Sequence, residues 1–232
     1  MRYPTPLIPA RFLRRSQRFL AEVELVGGGR QWVHVPNSGA LTGCLEVGMT
    51  ILLTREHGSG RKTPFSWRFC RVGDQWVCVD TLAPNRVVAE ALAGPGLPGL
   101  AGPLRARSEV TIPGGGRLDF EVWRDGGRLF LEVKSITWVE EGVALFPDGV
   151  TIRGRRHLQQ LAALVRQGHE AWQVFVVQRG DARIFRPAAH VDPAYAQELR
   201  LAASQGVKIV VLQESVSPPE ITLASPLPFD LS

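Results

Sequence analysis

GRLDFEVWRDGGRLFLEVKS, from Gly116 to Ser135, is the stretch whose reading decides the fold. Apolar and polar residues alternate on both sides of Asp125-Gly126, as in two half-buried strands. Asp-Gly is a favoured two-residue type I′ hairpin turn. That turn sets Leu118 opposite Val133, Phe120 opposite Leu131 and Val122 opposite Leu129, an all-apolar face ready for burial. The other face then sets Asp119 opposite Glu132 and Arg117 opposite Lys134. Directly opposed like charges destabilise a sheet, and a sheet built for stability alone would cross these pairs. A three-residue turn, Asp125 to Gly127, shifts the partners by one and leaves Asp119 diagonal to Glu132, so the acid cluster survives either turn.

A divalent cation resolves the conflict. Two carboxylates beside a backbone carbonyl, with that of Val133 the obvious one, form a hard-oxygen site suited to Mg2+ or Mn2+. Lys134 shares the face of Glu132 because side chains alternate along a strand. There it can orient a water and offset charge on a reacting phosphate. Lysine occurs only at Lys62, Lys134 and Lys208 among 27 lysines and arginines, so a lysine beside two acids stands out. The hairpin by itself is explained about equally well by a solvated sheet face.

Working outward, Arg155–Gln167 carries Leu158, Leu161, Ala162 and Val165 at helical spacing, and Gly168 stops the helix. AWQVFVVQ and VKIVVLQ are near-continuous apolar runs, as in strands covered on both faces, with AYAQELRLAASQG the helix between them. Upstream, APNRVVAEALAG reads as a helix that Asn85 can cap and Gly94 can end, and GPGLPGLAGP reads as a loop. Before it, RFLAEVELV, RQWVHV, MTILLT, SWRFCRV and QWVCVD are five short alternating runs with Gly-rich or polar turns between them, which suits a small barrel such as an OB-fold. The expected class is α/β (α+β): an OB-fold-like β-barrel over residues 1–82, then a mixed sheet flanked by helices over residues 83–232.

A chain of 232 residues with 44% hydrophobic residues can bury a sizeable core, and its net charge of +5 points to anionic partners, nucleic acid first. Cys44, Cys70 and Cys78 lack CxxC spacing, which argues against zinc and for a reducing compartment. The N-terminus lacks the apolar core of a signal peptide, and no window approaches ~18 uninterrupted apolar residues. The expected location is cytoplasmic, with no membrane partner. No GxxxxGK[ST] loop is present to bind a nucleotide.

D-x(12)-E-V-K on a hairpin, followed by a helix and an apolar strand, resembles the core of the PD-(D/E)XK nuclease superfamily, with Leu118 where the nominal proline stands. Eight ordered blocks, RRSQRFLAEVEL, VHVPNSGALTG, RKTPFSWRF, VDTLAPNRVVAEAL, GRLDFEV, LEVKSIT, ALFPDGVTIRGRRHLQQL and VDPAYAQELRLAASQGV, resemble the sugar fermentation stimulation protein family along almost the full chain. That resemblance implies an OB-like domain joined to a domain of nuclease fold. It also implies DNA binding without sequence preference and a regulatory role in sugar (maltose) metabolism. By the same resemblance Asp119 and Glu132 are metal ligands for Mg2+ or Mn2+ and Lys134 is the catalytic lysine. Glu90 resembles the helix glutamate of many such nucleases, and reads equally well as an exposed helix acid. Asp148 either binds metal through water or, the favoured reading, caps the helix that follows.

Arg153, Arg155, Arg156 and His157 crowd the start of that helix, where cations oppose the macrodipole and phosphate contacts would offset the local cost. Gln160 lies one turn further on. Arg14, Arg15 and Arg18, with Arg11, form a basic run before the first expected strand, and Arg61 and Lys62 fall at an expected loop tip. Trp32, Phe65, Trp67 and Trp76 supply aromatics where OB-folds stack bases, although large aromatics on strands usually pack inside. His34 and Asn37 make HVPNSG the most polar block of the barrel, and turn chemistry alone accounts for it. DNA is the expected partner. A Mg2+-dependent deoxyribonuclease and a non-enzymatic DNA-binding regulator are the two readings, and the oligomeric state is left open, a homodimer among its options.

Overall fold

The computed structural model describes residues 1–56, 60, 62–112, 115–124 and 126–232. Arg61 and Asp125 fall outside them. Six strands build the N-terminal barrel: β1 (Ile8–Ser16), β2 (Leu20–Leu25), β3 (Arg30–His34), β4 (Thr50–Arg55), β5 (Phe65–Val72) and β6 (Gln75–Cys78). Their order is β3-β2-β1-β4-β5-β6, and a parallel bridge from His34 to Ser66 joins β3 to β5 and closes the barrel. Ala10, Phe12, Val23, Val33, Ile51, Leu53 and Trp67 fill it. The sequence missed β1. Arg11, Arg14 and Arg15 lie within this strand, not ahead of it, with Ala10 and Phe12 buried on either side of Arg11.

α1 (Ala83–Ala93) follows the barrel and leads through the short strands β7 (Gly96–Leu97) and β8 (Leu100–Ala101), a hairpin where a loop was expected. Leu82 stands at its N-cap position with no side-chain cap; Asn85 lies inside the helix. The main C-terminal sheet contains β9 (Arg105–Thr111), β10 (Arg117–Arg124), β11 (Gly127–Ile136), β14 (Glu170–Val177), β16 (Lys208–Ser217) and β17 (Glu220–Pro226) in the order β17-β16-β14-β11-β10-β9. Between β11 and β14 come β12 (Val139–Glu140), β13 (Val143–Phe146) and α2 (Ile152–Arg166). β15 (Ile184–Pro187) and α3 (Pro193–Ser204) separate β14 from β16, and β15 joins β12 and β13 in a small third sheet absent from the sequence reading.

β11, β14 and β16 run parallel, joined by crossover helices α2 and α3. Both faces of this sheet are covered. One packs Phe130, Phe175 and Val211 against Leu158, Leu161 and Leu199 of α2 and α3. The other packs Phe120, Leu131, Val174 and Val210 against Val88 and Leu92 of α1. This two-sided cover is why the parallel strands read as unbroken apolar runs. Among the described residues no helix is long and apolar enough to cross a membrane.

Candidate functional site

The hairpin keeps the expected register from Arg124 opposite Gly127 to Phe120 opposite Leu131, and there the ladder ends. Asp119 Oδ2 accepts the Val133 backbone N–H at 2.7 Å, so a carboxylate stands where the strand pairing would continue. The alternation slips at the same point. Leu118 packs under α2 with Val110 and Phe130, whereas Phe120 and Val122 pack under α1. Glu109, across from Asp119 on β9, has a left-handed backbone with φ of 55°. Leu118 opposite Val133, Asp119 opposite Glu132 and Arg117 opposite Lys134 are therefore not ladder pairs; Arg117 pairs with Glu109 at 2.8 Å instead.

The solvated face, the alternative reading of the hairpin, is closed at Glu132 as well. Glu132 is 3% exposed. Its Oε1 accepts from Lys134 Nζ and meets His157 Nδ1, while Oε2 is buried with no hydrogen-bond partner among the described residues. Lys134 Nζ lies 3.3 Å from His157 Nδ1, and Arg153 Nε donates to His157 Nε2 at 3.2 Å. Burial pushes the Asp119 carboxyl up, the nearby Glu132 adds to it, and together they carry it to about 6 against the hydrogen bonds from Val133 and Asn85 and the charge of Lys134. Burial acts the same way on Glu132, but hydrogen bonds from His157 and Lys134 outweigh it and hold that carboxyl below its ordinary range. Two adjacent acids, Glu132 buried and Asp119 half-buried, are thus pushed in opposite directions, a pattern often found where chemistry is done.

His157 reaches the acids because α2 lies close on α3. Thr151 caps α2 by accepting from Gly154 N at 3.1 Å, and a Cβ on Gly154 would sit 3.0 Å from the Tyr195 ring. One turn later His157 meets Glu132. The sequence grouped His157 with the DNA-contacting arginines; a helical period cannot show which long-range partner a face meets. Asn85 was read as a cap, yet its Nδ2 donates to Asp119 Oδ1 at 2.7 Å. Glu90 is not brought to the cluster: its carboxylate is 61% exposed and pairs with the Met1 amino group at 2.7 Å. Asp148 does not cap α2; its Oδ2 accepts from Leu41 N of the barrel at 3.0 Å.

The expected DNA contacts divide in the same way. Arg156 is exposed and lines grooves on both sides of α2, Arg155 is half-buried, and Gln160 donates to Gly115 O at 3.0 Å. On the barrel, Arg14 lies over the Trp32 ring at 5.1 Å and pairs with Glu22, while Arg18 and Lys62 are exposed. Arg15 instead turns inward, donating to the carbonyls of Gly39 at 2.7 Å and Asn37 at 2.6 Å, which makes it a brace. Asn37 Oδ1 accepts from Gly39 N, the turn chemistry its sequence suggested. Trp67 and Phe65 are core, and the exposed aromatic that sequence reading passed over is Phe19, stacked on His34 with centroids 6.4 Å apart.

Among the described residues no three His, Cys, Asp or Glu side chains converge into a ready-made metal cage. A cation here would rest on Asp119, Glu132, backbone oxygen and water, the sparse protein ligation that Mg2+ commonly has.

Residues 13–79 match the family described as SfsA N-terminal OB domain, and residues 82–220 match the sugar fermentation stimulation protein RE domain. A sugar fermentation stimulation protein homolog of Citrifermentans bemidjiense is 40% identical, covering 98% of this chain and 99% of its own. One from Acidithiobacillus ferrooxidans is 42% identical over 97% and 98% of the two chains. A solved structure described as Pyrococcus furiosus SfsA in complex with Ca2+ superposes with a TM-score of 0.88 at 28% identity, covering 99% of this chain and 98% of its own.

Proposed function

The chain belongs to the sugar fermentation stimulation protein family, and from that premise we propose that it binds DNA with little sequence preference and hydrolyses its phosphodiester bonds at Asp119, Glu132 and Lys134 with a divalent cation. The observation that carries this reading is an acid pair that lacks full pairing: Glu132 Oε2 is buried with no hydrogen-bond partner among the described residues, and burial with Glu132 alongside pushes the half-buried Asp119 up to about 6. Such a deficit fits a hard cation. Asp119 and Glu132, with the Val133 carbonyl, would hold Mg2+ or Mn2+, and the relative solved with Ca2+ supports an oxygen-ligated ion in this fold. When bound, the cation supplies Lewis-acid stabilisation of negative charge developing on the phosphate.

The remaining chemistry belongs to the chain itself. Asn85 and Val133 N–H fix the Asp119 carboxylate from two sides. Lys134, held by Glu132, offers an ammonium to orient the attacking water and offset charge on the phosphate. His157 and Arg153 steady Glu132 from α2. Arg153, Arg155 and Arg156 would take flanking phosphates, and Arg14, Arg18, Lys62 and the exposed Phe19 would engage a strand on the barrel.

Single-stranded, duplex and branched DNA incubated with the protein in Mg2+ or Mn2+ test this. Cleavage is expected, with Asp119→Asn and Lys134→Ala abolishing it and sparing binding. Salt-sensitive binding without cleavage of any substrate would refute the hydrolytic step. It would leave a non-enzymatic DNA-binding regulator of sugar (maltose) metabolism.

A further inference from the structure

We propose that Arg105, Arg107 and Arg128 form a preorganised phosphate clamp on the outer part of the β9–β10–β11 ribbon, engaging DNA backbone at a distance from the acid cluster; this rests on the DNA-acting reading above. Its anchor is Glu121, a carboxylate only 2% exposed in the middle of β10. Glu121 Oε2 accepts from Arg107 at 2.8 Å and Oε1 from Arg128 at 3.1 Å. Both arginine side chains stay open to solvent, at 62% and 49% exposed. Trp123 completes the frame, with Arg105 at 4.9 Å and Arg107 at 5.9 Å from its ring centroid. Arg105 is exposed and pairs with no carboxylate among the described residues. Three guanidiniums against one carboxylate leave an excess of positive charge.

Stability does not call for this arrangement. A buried acid with its cations is commonly no more stable than apolar residues of similar volume, and exposed ion pairs contribute little. What Glu121 and Trp123 supply is orientation. They hold planar forks that would otherwise lose rotamer freedom on meeting a phosphate. β9 is the free edge of the sheet, and residues Arg105 to Glu109 are all exposed along it. The patch is charge-complementary to a polyanion.

The clamp also shares a face with the acids. Arg128, Phe130, Glu132 and Lys134 alternate on one side of β11, and the Arg128 guanidinium lies 6.0 Å from the Phe130 ring centroid. Six residues of strand from Lys134 to Arg128 span ~20 Å at ~3.4 Å each, or about six base steps of duplex. A groove of about 280 Å³ lined by Ile112, Gly115, Arg156 and Gln160 runs along α2.

Fluorescence anisotropy of a labelled DNA duplex, titrated with salt in the absence of divalent metal, tests the clamp. Arg105→Ala touches no acid and should lower the slope of log K against log salt by about 0.9, one phosphate contact. Arg107→Gln/Arg128→Gln/Glu121→Gln removes both cations with the acid they satisfy and should lower it by about two contacts. Arg2→Ala/Arg166→Ala/Arg200→Ala, which removes more charge elsewhere, should leave the slope unchanged. A sloped wild type with unchanged slopes in folded clamp variants overturns the clamp alone, as does an equal loss in the control. A wild type with no salt-dependent binding overturns the DNA reading itself.

Discussion

Glu214 is the carboxyl whose replacement has the most calculable consequence. It sits on β16 where that strand packs against β6 of the barrel, 1% exposed, with neither oxygen hydrogen-bonded among the described residues. Burial pushes its pKa from 4.5 to about 8. A raised folded-state pKa means the native protein holds a proton that the unfolded chain releases, so this group's contribution is fully present below about pH 4.5 and is lost as pH rises through about 8. Integrating between those values, the wild type forfeits ~1 kcal/mol at pH 5 and ~4 kcal/mol at pH 8. Glu214→Gln keeps the shape and cannot ionise. Its stability measured by urea unfolding should therefore gain ~3 kcal/mol relative to wild type on going from pH 5 to pH 8. All other titrating groups are common to both proteins and cancel in the difference. A gain below ~1 kcal/mol would refute the buried, neutral assignment.

Arg68→Ala should destabilise the fold by ~3–5 kcal/mol in denaturant melts, because it strands Asp80, 1% exposed, and Glu56, with which Arg68 now pairs at 2.6 Å each. Phe19→Ser should weaken single-stranded DNA binding by ~1–3 kcal/mol per stacked base, read by anisotropy, with the melting temperature unchanged because Phe19 is half exposed. Asp148→Ala leaves the buried Leu41 N–H without its acceptor and should lower unfolding free energy by ~1–3 kcal/mol; an unchanged urea midpoint would refute the tie it is assigned here.

The hairpin was legible because period-two alternation and an Asp-Gly turn are local signals, and the register from Arg124 to Phe120 followed from them alone. Local signals ended at Asp119. An alternation pattern assumes an unbroken ladder, and a side chain that takes its neighbour's backbone N–H breaks it without a mark in the sequence. β1 was lost for the opposite reason: its buried residues Ala10 and Phe12 are few, and the arginines beside and after them made the strand look like a basic run. Asn85 and His157 share a third cause. Each lies on a helix whose orientation is fixed by tertiary packing, through Asp119 for one and through Gly154 against Tyr195 for the other. Composition could name His157 as a cation near phosphate. Only packing could put it on Glu132.

The two halves of the chain are held as one frame by residues that belong to neither candidate surface. Asp148 precedes α2, the helix that carries His157, and ties it to Leu41 in the loop that Arg15 braces. Arg179, just after β14, lies 3.9 Å from the position a Cβ would take on Gly43 of that loop. On the far side Tyr3 N donates to Pro219 O beside β17, while the Tyr3 hydroxyl donates to Asp80 at the end of the barrel strands. A Cβ on Gly180 would lie 2.9 Å from Gln75 Oε1 of the barrel. The ties at buried groups, Leu41 N–H on Asp148 and the Tyr3 hydroxyl on Asp80, resist sliding because a displaced group would lose its partner. A strand lying on β1–β3 would then stand in fixed relation to Asp119 and Glu132, and the orientation it brings would be retained at the acids instead of being lost to hinge motion.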